Sequence, residues 1–160
     1  MKEIIADSGP LIIFARSNLL EVLQQIVESV LIPTTVFEEC VRESNKPGAK
    51  TIHAAKSNCL LHVVPDASGD ALQSDFLDRG EIAVLQLALE RALPVLMDER
   101  QGRKEARRLG IPVIGSAGIL LKAKSFSLIG KVKPILDQWK DFGYYYAPEL
   151  IHGILEKAGE

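Results

Sequence analysis

Five short apolar runs alternate with helix-patterned stretches along the chain, and this alternation constrains the fold more than any other feature. The runs are Glu3-Ile4-Ile5-Ala6-Asp7, Val30-Leu31-Ile32-Pro33, Leu60-Leu61-His62-Val63-Val64, Pro94-Val95-Leu96-Met97 and Pro112-Val113-Ile114. Each is too short for a helix and is bounded by turn or capping residues, so each reads as a buried strand. Between them, Leu19, Leu20, Leu23, Ile26 and Val27 fit a period of 3.6 residues, and Ile82, Leu85, Leu89 and Ala92 form an apolar stripe over Gly80 to Ala92. Thr34 or Thr35 is positioned to cap a helix over Val36 to Glu43. Lys46-Pro47-Gly48 then breaks that helix before a shorter one ending near Ser57. A basic helix is expected up to Gly110 and an apolar one after Gly115-Ser116, with two more over Val132 to Lys157, on either side of Phe142 to Tyr146.

Strand and helix units in strict alternation build a mostly parallel sheet covered by helices on both faces, because parallel neighbours need right-handed crossovers. The expectation is a three-layer α/β/α sandwich. A length of 160 residues with 47% apolar content suits one domain over 1–160, with a helical extension over about 131–160. The start of the chain has no apolar segment of signal-peptide length and no run long enough to span a membrane, which points to the cytoplasm. Cys40 and Cys59 are too few for a disulfide framework, and His53, His62 and His152 lack metal-ligand spacing. Neither a phosphate loop, a dinucleotide fingerprint nor a nucleophile elbow is present. Asp7-Ser8-Gly9 also fails the Asp-x-Asp requirement of haloacid-dehalogenase phosphatases.

Charge is placed unevenly. From Asp66 to Asp98 there are seven acids and two bases, 2 − 7 = −5, whereas Glu99 to Lys133 has nine bases and two acids, 9 − 2 = +7. Such asymmetry suits an acidic pocket beside a phosphate-attracting surface, although solvated helix faces produce similar counts. Asp7 and Asp98 both follow apolar strands directly, and open parallel sheets bind ligands beyond the carboxyl ends of their strands, where strand order reverses. An acid at such a position is also a common helix cap. Glu39 follows the second strand and Glu81 opens a helix, where its charge favours the macrodipole. Convergence of these four carboxylates would cost on the order of 4 kcal/mol per pair at ~4 Å. A divalent ion offsets that cost, and an all-oxygen donor set selects Mg2+ or Mn2+. Arg100, Arg103 and Arg107 fall on one face of the following helix, from which they can meet phosphates. Trp139, Tyr144, Tyr145 and Tyr146 suit a partner surface as readily as a core.

The segments Asp7-Ser8-Gly9-Pro10-Leu11-Ile12, Ile32-Pro33 with Val36-Phe37-Glu38-Glu39, Gly80-Glu81-Ile82-Ala83, Leu96-Met97-Asp98-Glu99 with Ala106, and Ile114-Gly115-Ser116-Ala117-Gly118, in this order and spacing, resemble the PIN-domain family, and within it the short branch related to VapC-like toxins. The resemblance spans nearly the whole chain. It implies a sheet of order 3-2-1-4-5, a ribonuclease site dependent on Mg2+ or Mn2+, and homodimers inhibited by a small antitoxin. By position, Asp7, Glu39, Glu81 and Asp98 match the four family acids, as metal ligands or positioners of the attacking water. Ser116 matches a small hydroxyl near the site and, with Arg100 or Arg103, would orient the phosphate. Two positions depart from the pattern: many VapC-like toxins have Asp where Glu81 stands and Thr-x-Asp where Leu96-Met97-Asp98 stands. The alternative implied by such departures is a non-catalytic PIN-like binding module with a vestigial acidic pocket.

Overall fold

The computed structural model describes residues 1–69 and 72–160. Its elements run β1 (Glu3–Ala6), α1 (Ser8–Arg16), α2 (Leu20–Ile26), β2 (Ser29–Pro33), α3 (Thr34–Val41), α4 (Ala49–Ser57), β3 (His62–Val64), α5 (Arg79–Arg91), β4 (Val95–Leu96), α6 (Arg100–Arg108), β5 (Val113–Ile114), α7 (Ser116–Ser125), α8 (Lys133–Asp141) and α9 (Pro148–Lys157). All four strand pairings are parallel and the order is β3-β2-β1-β4-β5, as the family resemblance implies. Successive residues of β1, β2 and β4 are buried rather than alternating, because helices cover the sheet on both sides. The acids that matter stand at one end of this sheet, where β1 is flanked by β2 and β4 and the chain direction of assembly reverses.

One local expectation is corrected. Neither Thr34 nor Thr35 caps α3; the helix begins at Thr34, with Pro33 in the cap position. The Thr34 hydroxyl donates instead to the Val64 carbonyl at 3.1 Å, and the Thr35 hydroxyl binds Asp66, so both tie α3 to the chain leaving β3. In contrast, α5 begins in full capping-box geometry. Glu81 N–H donates to Asp78 Oδ1 at 2.8 Å, while Asp78 N–H donates to Glu81 Oε2 at 3.0 Å.

The C-terminal helices are tied to the sheet layer through α1. Trp139 on α8 is fully buried, meets Phe14 edge-on at 5.4 Å between ring centroids, and donates its indole N–H to Ser17 Oγ at 3.1 Å. Arg16 donates to the Phe142 carbonyl at 3.0 Å and its guanidinium lies 4.3 Å from the centre of that ring. At the chain end, Glu160 accepts from Lys124 Nζ and from the Val132 and Lys133 amides, which pulls its carboxyl down to about 2. These contacts carry the chain between α8 and α9 over the carboxyl ends of β1 and β4.

Trp139→Ala removes a large buried ring together with its hydrogen bond, so unfolding free energy measured by urea titration should fall by about 3–5 kcal/mol. Ser17→Ala removes the acceptor for Trp139 and a hydroxyl bond to the Ile13 carbonyl but leaves the ring packed, and should cost about 1–2 kcal/mol. Equal losses for the two substitutions would show that packing of this ring does not anchor α8.

Candidate active site

Asp7 leaves β1 in extended conformation (φ −83°, ψ 164°) and takes the cap position of α1, yet its side chain makes no capping hydrogen bond. The ordinary structural role for an acid at this place is therefore not exercised. The residue is buried at 6% exposure. Desolvation is the main reason its carboxyl rises from 3.8 to about 7; the Ser8 amide opposes that shift, while Glu81, Asp78 and Glu39 add to it. Neither a lysine nor an arginine figures among the influences on Asp7. The negative charge at this corner is thus only partly balanced.

Glu39 reaches the same corner from α3. Its carboxyl is raised by desolvation first and by Asp78 second, with Arg42 and Arg79 opposing. Gly80 explains how the carboxylate fits: a Cβ at that position would lie 2.7 Å from Glu39 Oε2 and 3.1 Å from Oε1. Any side chain at 80 would displace the Glu39 carboxylate from the start of α5. Glu81 is buried beneath it, and desolvation raises its carboxyl against the Asp78 amide, with Asp78, Glu99 and Glu39 adding repulsion. Asp78 and Glu99 are the acids that sequence reasoning passed over. The Asp78-x-x-Glu81 spacing was a visible capping-box signal, whereas Glu99 caps α6 by accepting from Gly102 N–H at 2.8 Å.

Asp98 shares a cavity of about 430 Å³ with Asp7, and its carboxylate is already engaged. Oδ1 accepts from the Ser116 amide at 2.7 Å; Oδ2 accepts from the Ser116 hydroxyl and from the Tyr144 hydroxyl. Ser116, fully buried at the start of α7, therefore serves here as a clamp on Asp98. Arg103 donates to the Met97 carbonyl at 2.9 Å, and a Cβ on Gly115 would come within 2.8 Å of its guanidinium and 2.9 Å of Asp98 Oδ1. Gly115 thus lets the cation and the carboxylate approach the same stretch of backbone. Arg100 and Arg107 are exposed on α6, and neither lines the cavities at the strand ends. Burial and the neighbouring Asp98 charge raise the Tyr144 and Tyr146 hydroxyls far above their ordinary range, so both remain protonated. These two tyrosines close the site from above, and only folding brings them there.

The donor chemistry fits a hard divalent cation, since carboxylates predominate around Asp7. The present side-chain rotamers do not close around one. Among the described residues no three His, Cys, Asp or Glu side chains are grouped so as to hold a metal ion, because Glu81 faces its capping partner and Asp98 faces Ser116 and Tyr144.

A family model described as PIN domain matches residues 3–160. No curated protein matches the chain. Among solved structures, a PilT N-terminus domain protein from the hyperthermophilic archaeon Sulfolobus solfataricus aligns with a TM-score of 0.55 and 15% identity, over 76% of this chain and 92% of that one. The PIN domain endonuclease Utp24 aligns with a TM-score of 0.52 and 14% identity, over 71% of this chain and 84% of its own. At such identities these likenesses establish the shared fold.

Because Asp7 binds its proton more tightly folded than unfolded, its contribution to stability is complete below about 4 and is lost as pH rises through about 7. Glu39 and Glu81, also raised, act in the same direction. In EDTA, Asp7→Asn should raise Tm at pH 8 by roughly 5 °C while leaving it nearly unchanged at about pH 3. An equal Tm difference at both pH values would refute a charge strain centred on Asp7.

Proposed function

Since the chain belongs to the PIN-domain family, we propose that it is a divalent-metal-dependent endoribonuclease, the toxin of a toxin-antitoxin pair. The observation that carries this reading is the buried Asp7 carboxyl at the end of β1, held among Glu39, Asp78 and Glu81, whose charges add to the burial that raises it. Asp7, Glu39, Glu81 and Asp98 are the residues that would hold Mg2+ or Mn2+. Such an ion, when bound, supplies Lewis-acid stabilisation of the phosphoryl oxygens and a water of lowered pKa. Arg103, anchored beside Asp98, supplies positive charge for the phosphate, and Arg100 extends that charge along exposed α6. Ser116 and Tyr144 hold the Asp98 carboxylate in orientation, while burial on one side of the cavity limits competing water. A small cognate antitoxin, a homodimer and a cytoplasmic site of action complete the proposal. Among the described residues no helix is long and apolar enough to cross a membrane.

A second reading is favoured by the engaged state of Glu81 and Asp98: a binding module in which the acids serve folding and partner contact. Calorimetry with Mn2+ separates the two, since the module binds none at millimolar concentration. For the nuclease, Asp7→Asn and Asp98→Asn should each lower Mn2+-dependent cleavage of RNA by at least about a hundredfold with the fold retained. Growth arrest on expression should disappear with Asp7→Asn, and sequencing of RNA ends would identify the cut sites. Undiminished cleavage by Asp7→Asn would place the activity elsewhere.

A further inference from the structure

Beside the acidic cavity a second one opens between the N-terminal half of α7 and the length of α9. It measures about 570 Å³, and its walls are mainly apolar, from Ile114 and Leu121 on one side to Leu150 and Ile154 on the other. Its bases are Arg103, next to Asp98, and Lys157, at the end of α9; its acids are Asp98 and Glu149. Gly118 and Gly153 both line it without side chains. At Gly153 an added Cβ would meet nothing within 4 Å, so the groove is open at that point. Three residues, Asp98, Tyr146 and Leu150, line both cavities, which makes the groove continuous with the acidic site. The wall formed by β5 and α7 belongs to the Glu99–Lys133 segment, whose charge is +7. Leu150, on the shared rim, is 51% exposed, and Tyr145, on the acidic cavity beside it, is 68% exposed, an unusual outlay of apolar surface beside a polar site.

We infer that the groove between α7 and α9 is a subsite for single-stranded RNA flanking the phosphate held at the acidic cavity. An apolar slot takes the face of an unstacked base, and the cations at its two ends meet the backbone phosphates on either side of that nucleotide. A duplex does not enter such a slot, because its bases are already stacked and paired. The exposed Tyr145 ring, on the wall of the acidic cavity, offers a further stacking face. The polymer's identity rests on the nuclease reading above, but binding is measurable without metal, so the two stand or fall separately.

The test is fluorescence anisotropy with a labelled single-stranded RNA decamer in EDTA, using the full chain. Gly153→Leu extends into the groove from a helical position where an added Cβ meets nothing within 4 Å, and it also raises helix propensity, so the fold is retained. It should weaken RNA binding by roughly tenfold or more, and Lys157→Gln should lower the logarithmic salt slope by roughly 0.7. Lys131→Gln, exposed at a separate cavity between α7 and α8, removes the same charge and should change affinity by less than about twofold. The same RNA as a duplex should bind at least roughly tenfold more weakly than the single strand. Unchanged affinity in Gly153→Leu, or an equal loss in Lys131→Gln, would overturn the subsite. So would sedimentation showing that Gly153→Leu converts a dimer to a monomer at constant RNA affinity, since a second copy would then be the occupant. Cleavage with Mn2+ is scored separately: groove-dependent binding without any cleavage keeps the subsite and removes the nuclease reading, and cleavage with groove-independent binding does the reverse.

Discussion

Ile5 pairs with Val95 and Ala6 with Leu96 in parallel register, and this two-rung ladder between β1 and β4 decides where everything else can stand. On the other side of β1 lies β2, so the first strand is the point from which assembly proceeds outward in both directions. Helix-bearing connections leave the carboxyl ends of both strands, and a crevice remains between them because the crossovers diverge. Asp7 and Asp98 stand at that crevice as the first polar side chains beyond two buried apolar strands. Continuous burial of β1 and β4 fixes their register, since any slip would carry a carboxylate into the core at several kcal/mol.

The crevice holds opposing demands. Asp7, Glu39, Asp78, Glu81 and Glu99 repel one another, and burial deprives Asp7 of water that would screen the effect. The chain answers locally in two ways: helix N-termini receive Asp78, Glu81 and Glu99 as caps, and Ser116 with Tyr144 binds Asp98. For Asp7 the Ser8 amide is outweighed by burial and by the neighbouring acids, and its carboxyl retains a proton to about pH 7. A group of this kind is poised to exchange its proton for a cation, and functional sites commonly show this mixture of satisfied and strained carboxylates.

The two C-terminal helices are more than an appendage. Trp139 buries itself against Phe14, and the backbone between α8 and α9 then delivers Tyr144 and Tyr146 above Asp98. Because α9 continues from there alongside α7, the same anchoring builds both the roof of the acidic cavity and one wall of the neighbouring groove. Packing in the core and the shape of the site are therefore coupled through one aromatic cluster.

Period and turn chemistry made the elements legible in the residues alone. Two-residue strands such as Val95–Leu96 were recognisable because Pro94 precedes and Asp98 soon follows them, and α5 because its apolar stripe repeats at helical spacing, although Ala92, read as its last position, caps it in left-handed conformation. The acids at the strand ends were legible for the same reason, and the strand order followed from the resemblance to a family. What chain position could not decide is orientation. Whether Asp98 faces Asp7 or Ser116, whether Glu81 serves its cap or the cavity, and which arginine turns inward depend on side-chain torsions set by neighbours far along the chain. Tyr144 reaches Asp98 across 46 positions, and Gly80 admits the Glu39 carboxylate only because α3 and α5 pack together. Local pattern determines elements because their hydrogen bonds and apolar faces are local. The site is a meeting of chain segments, and only the packed tertiary structure brings them within a few ångströms of one another.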